Sequence, residues 1–377
     1  AFFRTGAGNS YCGLVFCPHV NGPYGVDGVA EDLRRSGVEV GLYSTTTPNS
    51  VRGRETSWDE LRREYERAFK QDELPVLVCT KAFGMGIDKA NVRYTIHYGL
   101  PGSIEAFYQE AGRAGRDRAH AECILIVSDE TARRLPQLLS PQVSVEELAE
   151  LDRGLNREEK DDIVRMLWFH SNAFRGEAAE VETMSQVLRD LHPASVPDFR
   201  EIGRDDSAGS DAREKALHRL LLLGIVEDYT VDHAAQSYGV KLAGASPENV
   251  IEAYTKYVAT YQEARALQER AKAEQVSAGD WDEFALDIAR LLVRFIYEVI
   301  EQGRRRAISE MVAACRVEGE DEFRARVLRY LEATEYSERL ETLLSDASGG
   351  LGVVPEVMAE VLSPRDAAEV RGQVSRY

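Results

Sequence analysis

The chain contains 377 residues, carries a net charge of −18 and is 44% hydrophobic. This length is enough for about two or three domains, each with a core of its own. The negative charge argues against a protein that coats nucleic acid through bulk electrostatics, although a local basic groove is compatible with it.

The start of the chain gives no targeting signal. No apolar run approaches the roughly twenty residues of a membrane helix, and no signal-peptide pattern is present. We therefore expect a cytoplasmic protein with no membrane partner. Because Ala1 is not an initiator residue, we also expect a piece of a longer protein or a trimmed product.

Strands and helices are predicted to alternate over residues 10–130. Short apolar runs predict strands at 11–17, 38–43, 75–79, 92–97 and 123–127, and the run at 75–79 has the length and β-branched content of a buried parallel strand. Helices are predicted at 29–35, at 58–70 and after Ser103. This alternation predicts an α/β domain whose parallel sheet is covered by helices on both faces.

A run of hydroxyl residues, Ser44 to Thr47, follows the second predicted strand. Hydroxyls at this place, such as that of Thr45, are suited to hold a nucleic-acid phosphate. A plain turn before Pro48 fits the same residues. Both interpretations remain open.

The strand at 75–79 leads into a loop, Thr80–Asp88, that contains Gly84 and Gly86. Glycine lets a backbone approach a ligand closely and adopt positive φ without a Cβ penalty. This loop is therefore a candidate ligand-binding segment between two buried strands.

The helix after Ser103 is predicted to end in the segment QEAGRAGRD, Gln109–Asp117. Arg113 and Arg116 are three residues apart, which on a helix places them on one face. Guanidinium groups bind phosphate oxygens bidentately and keep their charge, so the pair suits a polyphosphate site. Two solvated arginines beside a helix end are the alternative.

Three segments stand close together in one stretch of about forty residues. They are AFGMGIDK at Ala82–Lys89, VRYTIHYGLP at Val92–Pro101, and the QEAGRAGRD segment. In this order and spacing they resemble motifs V and VI of superfamily 2 helicases and, most closely, the RecQ family. GLVFCPHVN, at 13–21, resembles motif IV. The resemblance implies that residues 1–130 are the second RecA-like lobe of an ATP-dependent DNA helicase that moves 3′ to 5′ on single-stranded DNA.

The same resemblance implies roles at a nucleotide site. Arg116 corresponds to the arginine finger for the γ-phosphate, Arg113 to a second phosphate contact, and Gln109 to a residue that senses nucleotide. Gly86 and Asp88 are expected at the nucleotide side of the cleft. A finger of this kind stabilises charge that develops in the transition state.

The nucleic-acid backbone is expected to contact Thr80, Lys81 and Thr45, with single-stranded or partly duplex DNA as the ligand. The sequence contains no G-x-x-x-x-G-K-[ST] loop and no Asp-Glu-x-His box. ATP and Mg²⁺ are therefore expected to be held mainly by a first RecA-like lobe, from a preceding part of the protein or from another chain. Without that lobe we expect this chain to be inactive.

The cysteines depart from the RecQ pattern, which commonly places a four-cysteine zinc module after GRAGRD. The five cysteines here are scattered, and Cys12 and Cys17 have no second pair at zinc-ligand spacing. Reduced thiols are favoured over a metal site.

After residue 130 the pattern becomes mostly helical. Residues 131–210 are predicted as a helical linker region, with helices at Glu158–Phe169 and Ala178–Leu191. Within it, Leu135–Ser144 is predicted as a linker and Ala194–Ser210 as a polar loop.

Residues 211–245 are predicted as a winged helix, because a helix is followed by two strand-like runs, as in many RecQ proteins. The hairpin carries acidic residues at Glu227, Asp228 and Asp232. A wing that binds duplex DNA is expected to be more positive. Contact with DNA on the one hand, and pure packing or contact with protein on the other, remain equally open.

Residues 246–377 are predicted as a helical bundle that docks a protein partner. The predicted helices are Pro247–Ala273, Trp281–Cys315, Glu320–Ala333 and Ser337–Leu344. Leu286–Ile300 is apolar around much of its circumference and should be the spine of the bundle. Arg304 to Arg306 are predicted as a solvated turn in preference to a patch that contacts a nucleic-acid strand.

Two other functions fit the same residues. The first is a DNA translocase that does not separate strands, because no separation pin is identifiable. The second is a non-catalytic interaction subunit with a relic RecA-like lobe, against which the intact Gln109, Arg113 and Arg116 argue.

Overall fold

The computed structural model describes residues 12–53, 55–84, 89–204, 212–276 and 279–332. The chain divides into two compact units. The first unit contains Ala1–Asn172 and Arg304–Leu331, and the second contains Ala173–Gly303 and Glu332–Tyr377. The predicted segments 1–130, 131–210, 211–245 and 246–377 have different bounds, because residues 304–331 group with the first unit.

The elements before residue 174 are β1 (Cys12–Phe16), α1 (Val26–Arg35), β2 (Val40–Tyr43), α2 (Trp58–Lys70), β3 (Val76–Cys79), β4 (Val92–Tyr98), α3 (Ile104–Ala111), β5 (Glu122–Ile126), α4 (Glu130–Arg134), α5 (Val145–Arg153) and α6 (Asp162–Ala173). Those after it are α7 (Glu177–Asp190), β6 (Asp198–Gly203), α8 (Ala212–Leu222), β7 (Val226–Asp232), β8 (Ser237–Leu242), α9 (Pro247–Tyr261), α10 (Glu263–Glu274), α11 (Trp281–Phe295), α12 (Gln302–Cys315) and α13 (Glu320–Glu332).

The first unit contains a parallel five-stranded sheet in the order β2-β3-β1-β4-β5. All five predicted strands are confirmed within a residue or two at their ends. Alternate residues of the central strand β1 face opposite sides, with Val15 in one core cluster and Leu14 and Phe16 in the other. This period of two is the geometry of a strand covered on both faces.

Helices lie on both faces of this sheet, as predicted. Val26 and Ala30 of α1 and Trp58 of α2 pack in the cluster with Val15. On the opposite face Phe107 of α3 packs against the His97 ring, with 4.9 Å between ring centroids, and His97 stacks on Phe16 at 5.1 Å. The prediction of a RecA-like α/β domain is consistent with this sheet.

A further core in the first unit joins α3 to helices from two distant parts of the sequence. Ile104 and Phe107 of α3 pack with Ile163 of α6 and with Met311 of α12. Leu138, inside the predicted linker 135–144, is also buried in this core, and Pro136–Leu139 forms a 3₁₀ turn. The linker prediction is therefore wrong for these residues, since an apolar side chain anchors them.

The arginine run 304–306 is helical and not a solvated turn. It lies in the first half of α12, and the Arg305 guanidinium donates a hydrogen bond to the carbonyl oxygen of Val143. These residues therefore belong to a regular helix, and the Arg305 side chain is bonded within the fold.

The second unit contains a three-stranded antiparallel sheet in the order β6-β8-β7. Strand β6 lies inside the predicted loop Ala194–Ser210, so that prediction is wrong for Asp198–Gly203. Ile202 is the only buried residue of β6. The strand is held by backbone pairing with β8 and gives little hydrophobic signal.

Helix α11 forms the buried centre of the helical part of the second unit, which confirms the predicted spine. Its buried side chains are Phe284, Ala285, Ile288, Ala289, Leu292, Val293 and Phe295. The predicted helix 281–315 contains a π-helical stretch at Ile296–Glu301. The predicted helix 247–273 is interrupted at Gln262, whose φ of −143° and ψ of 84° are not helical.

That interruption brings α10 back against α9. The buried Tyr254 hydroxyl of α9 donates to a Glu269 carboxylate oxygen of α10 at 2.8 Å. Arg265 and Lys272 pair with the same carboxylate at 3.1 Å and 2.7 Å. Burial, followed by this hydrogen bond, raises the pKa of Tyr254, so the phenol stays protonated.

Three of the cysteines, Cys12, Cys17 and Cys79, are buried, and all five are free thiols. Burial raises the pKa of Cys17 to about 12. Over the part of the chain that the structure describes, no group of three or more potential ligands is placed to hold a metal ion. Within the same residues, no helix is both long and apolar enough to cross a membrane.

Replacing Tyr254 by Phe should lower the free energy of unfolding by about 1–3 kcal/mol, because the buried Glu269 carboxylate loses a donor. Urea unfolding followed by circular dichroism measures this change. Tyr261→Phe on the same helix is the matched control, since Tyr261 is 52% exposed. Equal effects of the two substitutions would contradict the assigned hydrogen bond.

Candidate functional site

Two of the predicted nucleic-acid contacts follow neighbouring strands at one edge of the sheet. Thr45 comes after β2 and Thr80 after β3, and the carboxyl ends of parallel strands meet at one edge. The Thr80 amide donates to the Tyr43 carbonyl oxygen at 3.1 Å, which holds the two strand ends together. Thr45 is exposed whereas Thr80 is 9% exposed.

The hydroxyl run after β2 forms a hydrogen-bonded turn. The buried Ser44 hydroxyl donates to the Thr46 carbonyl oxygen at 2.6 Å, and the Ser44 carbonyl accepts from the Trp58 indole at 3.2 Å. Ser44 therefore has a structural role, as the plain-turn interpretation expects. Thr45 and Thr46 remain exposed at the surface of the turn.

Lys81 is exposed in a 3₁₀ turn, Lys81–Gly84, that follows Thr80. The turn is anchored by Phe83, whose buried ring packs edge-on against Tyr43 at 4.7 Å. Gly86 and Asp88, predicted at the nucleotide side, lie outside the described residues.

Lys89, the last residue of the AFGMGIDK segment, is 6% exposed. Its ammonium nitrogen lies 2.6 Å from a carboxylate oxygen of Asp72 and over the Phe69 ring at 5.4 Å from the centroid. Burial acts to raise the pKa of Asp72, but hydrogen bonds from Lys89 and Asn91 lower it overall. Lys89 is therefore held just before β4 by an ion pair in which its own side chain is buried and that of Asp72 is exposed.

The two candidate arginines do not share a helical face. Helix α3 ends at Ala111, and Arg113 and Arg116 lie in the turn that follows. Gly115 adopts a φ of +69°, which is outside the α-helical region. Arg113 is 9% exposed and Arg116 is more accessible than Arg113, so the prediction of a shared helical face is wrong.

This turn, residues 112–118, is fixed to the amino end of β4, and we refer to it as the arginine turn. The Gly115 amide donates to the Val92 carbonyl oxygen at 3.0 Å, and the Asp117 amide donates to that of Ala90 at 3.3 Å. The Arg93 guanidinium pairs with the Asp117 carboxylate. The Arg93 guanidinium also donates a hydrogen bond to the His120 carbonyl oxygen at 3.2 Å.

Arg113 lies in a buried, charged environment. Burial lowers the pKa of its guanidinium, and the charge of Arg116 lowers it further, while Cys79 and Glu110 act in the opposite direction. The guanidinium keeps its charge, because its ordinary pKa is so high. Arg116 therefore lies close enough to Arg113 for their charges to act together.

Two residues that contact this part of the fold were not singled out from the sequence, although both lie in motif-like segments. Arg93, in the VRYTIHYGLP segment, braces the arginine turn. His97, in the same segment, is buried with its ring nitrogen 3.2 Å from the Glu110 carboxylate at the end of α3. Gln109, the predicted nucleotide sensor, is exposed on the same helix.

Comparison with known proteins supports the helicase resemblance of these motif-like segments. Residues 9–118 match the family model described as the helicase conserved C-terminal domain. The ATP-dependent DNA helicase RecQ of Pasteurella multocida is 41% identical over 141 residues, which are 36% of this chain and 20% of that protein. RecQ of Bacillus subtilis is 43% identical over 102 residues, which are 27% of this chain and 16% of that protein.

The chain therefore matches about a fifth or less of the length of these two relatives. Among solved structures, the helicase Lhr of Mycobacterium smegmatis bound to single-stranded DNA and AMP-PNP aligns with 65% of this chain and 29% of its own. The sequence identity is 14% and the TM-score is 0.25. This alignment is too weak to support the fold, which is therefore described from the sheet alone.

Gly115→Ala should destabilise the arginine turn, because a residue with a Cβ atom pays about 1–2 kcal/mol in the left-handed region. The new Cβ would also lie 3.1 Å from the Ala119 carbonyl oxygen. The measurement is the free energy of unfolding in urea. Gly102→Ala is the control, since a Cβ atom at residue 102 would meet nothing within 4 Å, and it should leave stability nearly unchanged. A Gly115 variant as stable as the Gly102 variant would contradict the left-handed turn.

Proposed function

We propose that this chain, in which residues 9–118 carry a RecQ-like superfamily 2 helicase C-terminal region, is the second-lobe part of an ATP-dependent DNA helicase. It couples ATP hydrolysis in a cleft between two lobes to 3′ to 5′ movement on single-stranded DNA. The observation that carries the proposal is the arginine turn, which holds one accessible and one buried guanidinium on a RecA-like sheet.

The two guanidinium groups suit different tasks in such a cleft. Arg116 is exposed and can be presented to a nucleotide held by a first lobe. Arg113 is buried beside the sheet, which limits its motion and keeps a fixed positive charge behind the finger. Fixed charges of this kind stabilise a transition state without reorganising at the moment of reaction.

The first lobe supplies the remainder of the ATP site in this proposal. This sequence lacks a phosphate loop and an acidic box, and bound Mg²⁺ would neutralise phosphate charge beside the nucleotide. The lobe comes from a preceding part of the protein or from another chain. The contribution of the present residues is the pair Arg113 and Arg116, with Gln109 on the helix that precedes them.

The sheet gives a physical route for coupling. Strand β1 pairs with both β3, which ends beside Thr80, and β4, which begins at Val92. The arginine turn is bonded to the amino end of β4 through Ala90 and Val92. In this proposal, displacement of the turn on cleft closure is passed through these paired strands to Thr80 and Lys81.

The second unit adds a winged helix to this proposal. Helix α8 followed by the hairpin β7-β8, with β6 as a third strand, has the order expected of that module. Glu227, Asp228 and Asp232 are exposed on the hairpin, which disfavours contact with phosphates. Contact with protein is the role that these charges favour.

Arg116→Ala, assayed together with a first lobe from the same or another chain, should lower DNA-stimulated ATP hydrolysis by about 10³-fold or more. Arg116→Lys should recover little of it, because an ammonium cannot bind phosphate bidentately. Steady-state phosphate release, with and without single-stranded DNA, measures both.

Arg63→Ala is the matched control for that experiment. Arg63 is a surface arginine on α2, and its replacement should leave hydrolysis unchanged. Full stimulated hydrolysis in the Arg116 variant, or no stimulation of the unmodified protein, would contradict the proposal. Strand-separation and translocation assays on the active protein then distinguish a helicase from a translocase.

A further inference from the structure

A groove of about 550 Å³ in the first unit has no role in the site described above. Its lining residues come from three parts of the chain and include aromatic, hydroxyl, amide and basic groups. They are His19, Val20, Asn21, Thr46, Lys160, Arg165, Trp168 and Phe169.

The groove opens at the same edge of the sheet as the predicted nucleic-acid contacts. His19 to Asn21 follow β1, and Thr46 follows β2 directly after Thr45. Because β1, β2 and β3 are parallel, these residues and Thr80 all lie beyond carboxyl strand ends. The groove is therefore continuous with the edge on which a nucleic-acid strand is proposed to lie.

Two consecutive aromatic residues of α6 form one wall of the groove. Trp168 is 44% exposed and Phe169 is 39% exposed. Their ring centroids are 5.0 Å apart at an interplanar angle of 67°, and His19 lies 6.4 Å from the Phe169 ring. Both rings are more than a third exposed, and exposed aromatic rings can stack on unpaired bases.

Packing in the core does not explain why Trp168 and Phe169 are exposed. Helix α6 buries its other face through Ile163, Val164 and Leu167, which pack against the helices around α3. Trp168 and Phe169 follow directly after Leu167 and point away from that core. A large aromatic pair left at the surface by a helix that is already anchored indicates a binding role.

The charges around the groove favour stacking over phosphate attraction. The Lys160 ammonium pairs with Asp152 at 2.7 Å, and the Arg165 guanidinium pairs with Asp162 at 2.7 Å. Burial, and then the charge of Arg165, lowers the pKa of His19, so its ring is uncharged at neutral pH. Cations that already have carboxylate partners give little net attraction to a phosphate backbone.

We propose that Trp168 and Phe169 form a platform on which bases of single-stranded nucleic acid stack as the strand leaves the carboxyl edge of the sheet. The proposal rests on the proposed function, since it adds a base-binding site to the path of the strand. Thr46 and Asn21 are placed to contact the sugar-phosphate chain beside the platform. Recognition through base faces makes the site tolerant of sequence.

The test compares two probes that differ only in their bases. One is a fluorescein-labelled oligothymidylate of about 15 nucleotides, and the other is an abasic strand of the same length. Binding of each to the full chain is measured by fluorescence anisotropy, for the unmodified protein and for the Trp168→Ala, Phe169→Ala double variant. Phe199→Ala is the control, because Phe199 is also an exposed aromatic residue, 63% exposed, but lies on β6 in the second unit.

The double variant should bind oligothymidylate about fivefold more weakly or worse, with little change for the abasic strand. The difference should persist as salt is raised, because stacking does not release counterions. Equal losses on both probes, as a folding defect would give, would overturn the platform. So would unchanged binding of both probes, as a groove for a peptide would give.

A second variant distinguishes a loss of stacking from a folding defect. Trp168→Phe retains an aromatic ring, so it should bind oligothymidylate nearly normally while removing most of the tryptophan quenching that bases cause. Quenching that is unchanged in this variant would contradict the platform. If the helicase proposal fails, DNA-stimulated hydrolysis is absent while the base-dependent difference remains. If the platform alone fails, hydrolysis is stimulated and the difference is absent.

Discussion

The attachment of the arginine turn to the start of β4 is the constraint on which the rest of the site depends. Two backbone hydrogen bonds, from Gly115 to Val92 and from Asp117 to Ala90, fix a segment that contains no regular secondary structure. Arg93 then ties the side chain of Asp117 to the same strand. Without these contacts, the positions of Arg113 and Arg116 would depend on a short helix and two glycines.

This constraint also explains why the two arginines differ. A helix continued through residue 116 would place both guanidinium groups on one face with similar exposure. The turn instead leaves Arg113 against the sheet, near Cys79, and leaves Arg116 more accessible. A buried charge with restricted motion and an accessible charge that can reach a second lobe are both useful in a cleft that closes around polyphosphate.

The sequence predicted the parallel sheet well because buried parallel strands are continuous apolar runs, such as 75–79. It also located the segments that carry the candidate residues, since glycine and arginine spacing is a local signal. The end of α3 was predicted wrongly, because the left-handed φ of Gly115 is imposed by bonds to residues 90–92, more than twenty positions away. Strand β6 was missed for a similar reason, as it depends on pairing with β8.

The amphipathic pattern of a helix indicates that one face is buried but not what covers it, and α12 and α13 illustrate the consequence. Both were predicted as part of a C-terminal bundle. Met311 of α12 packs instead in the core of α3, and the Phe323 ring of α13 lies 5.4 Å from that of Phe107. The helix that leads into the arginine turn is thus braced by residues some two hundred positions later in the chain. The positions of Arg113 and Arg116 therefore depend on an apolar core that includes α12 and α13.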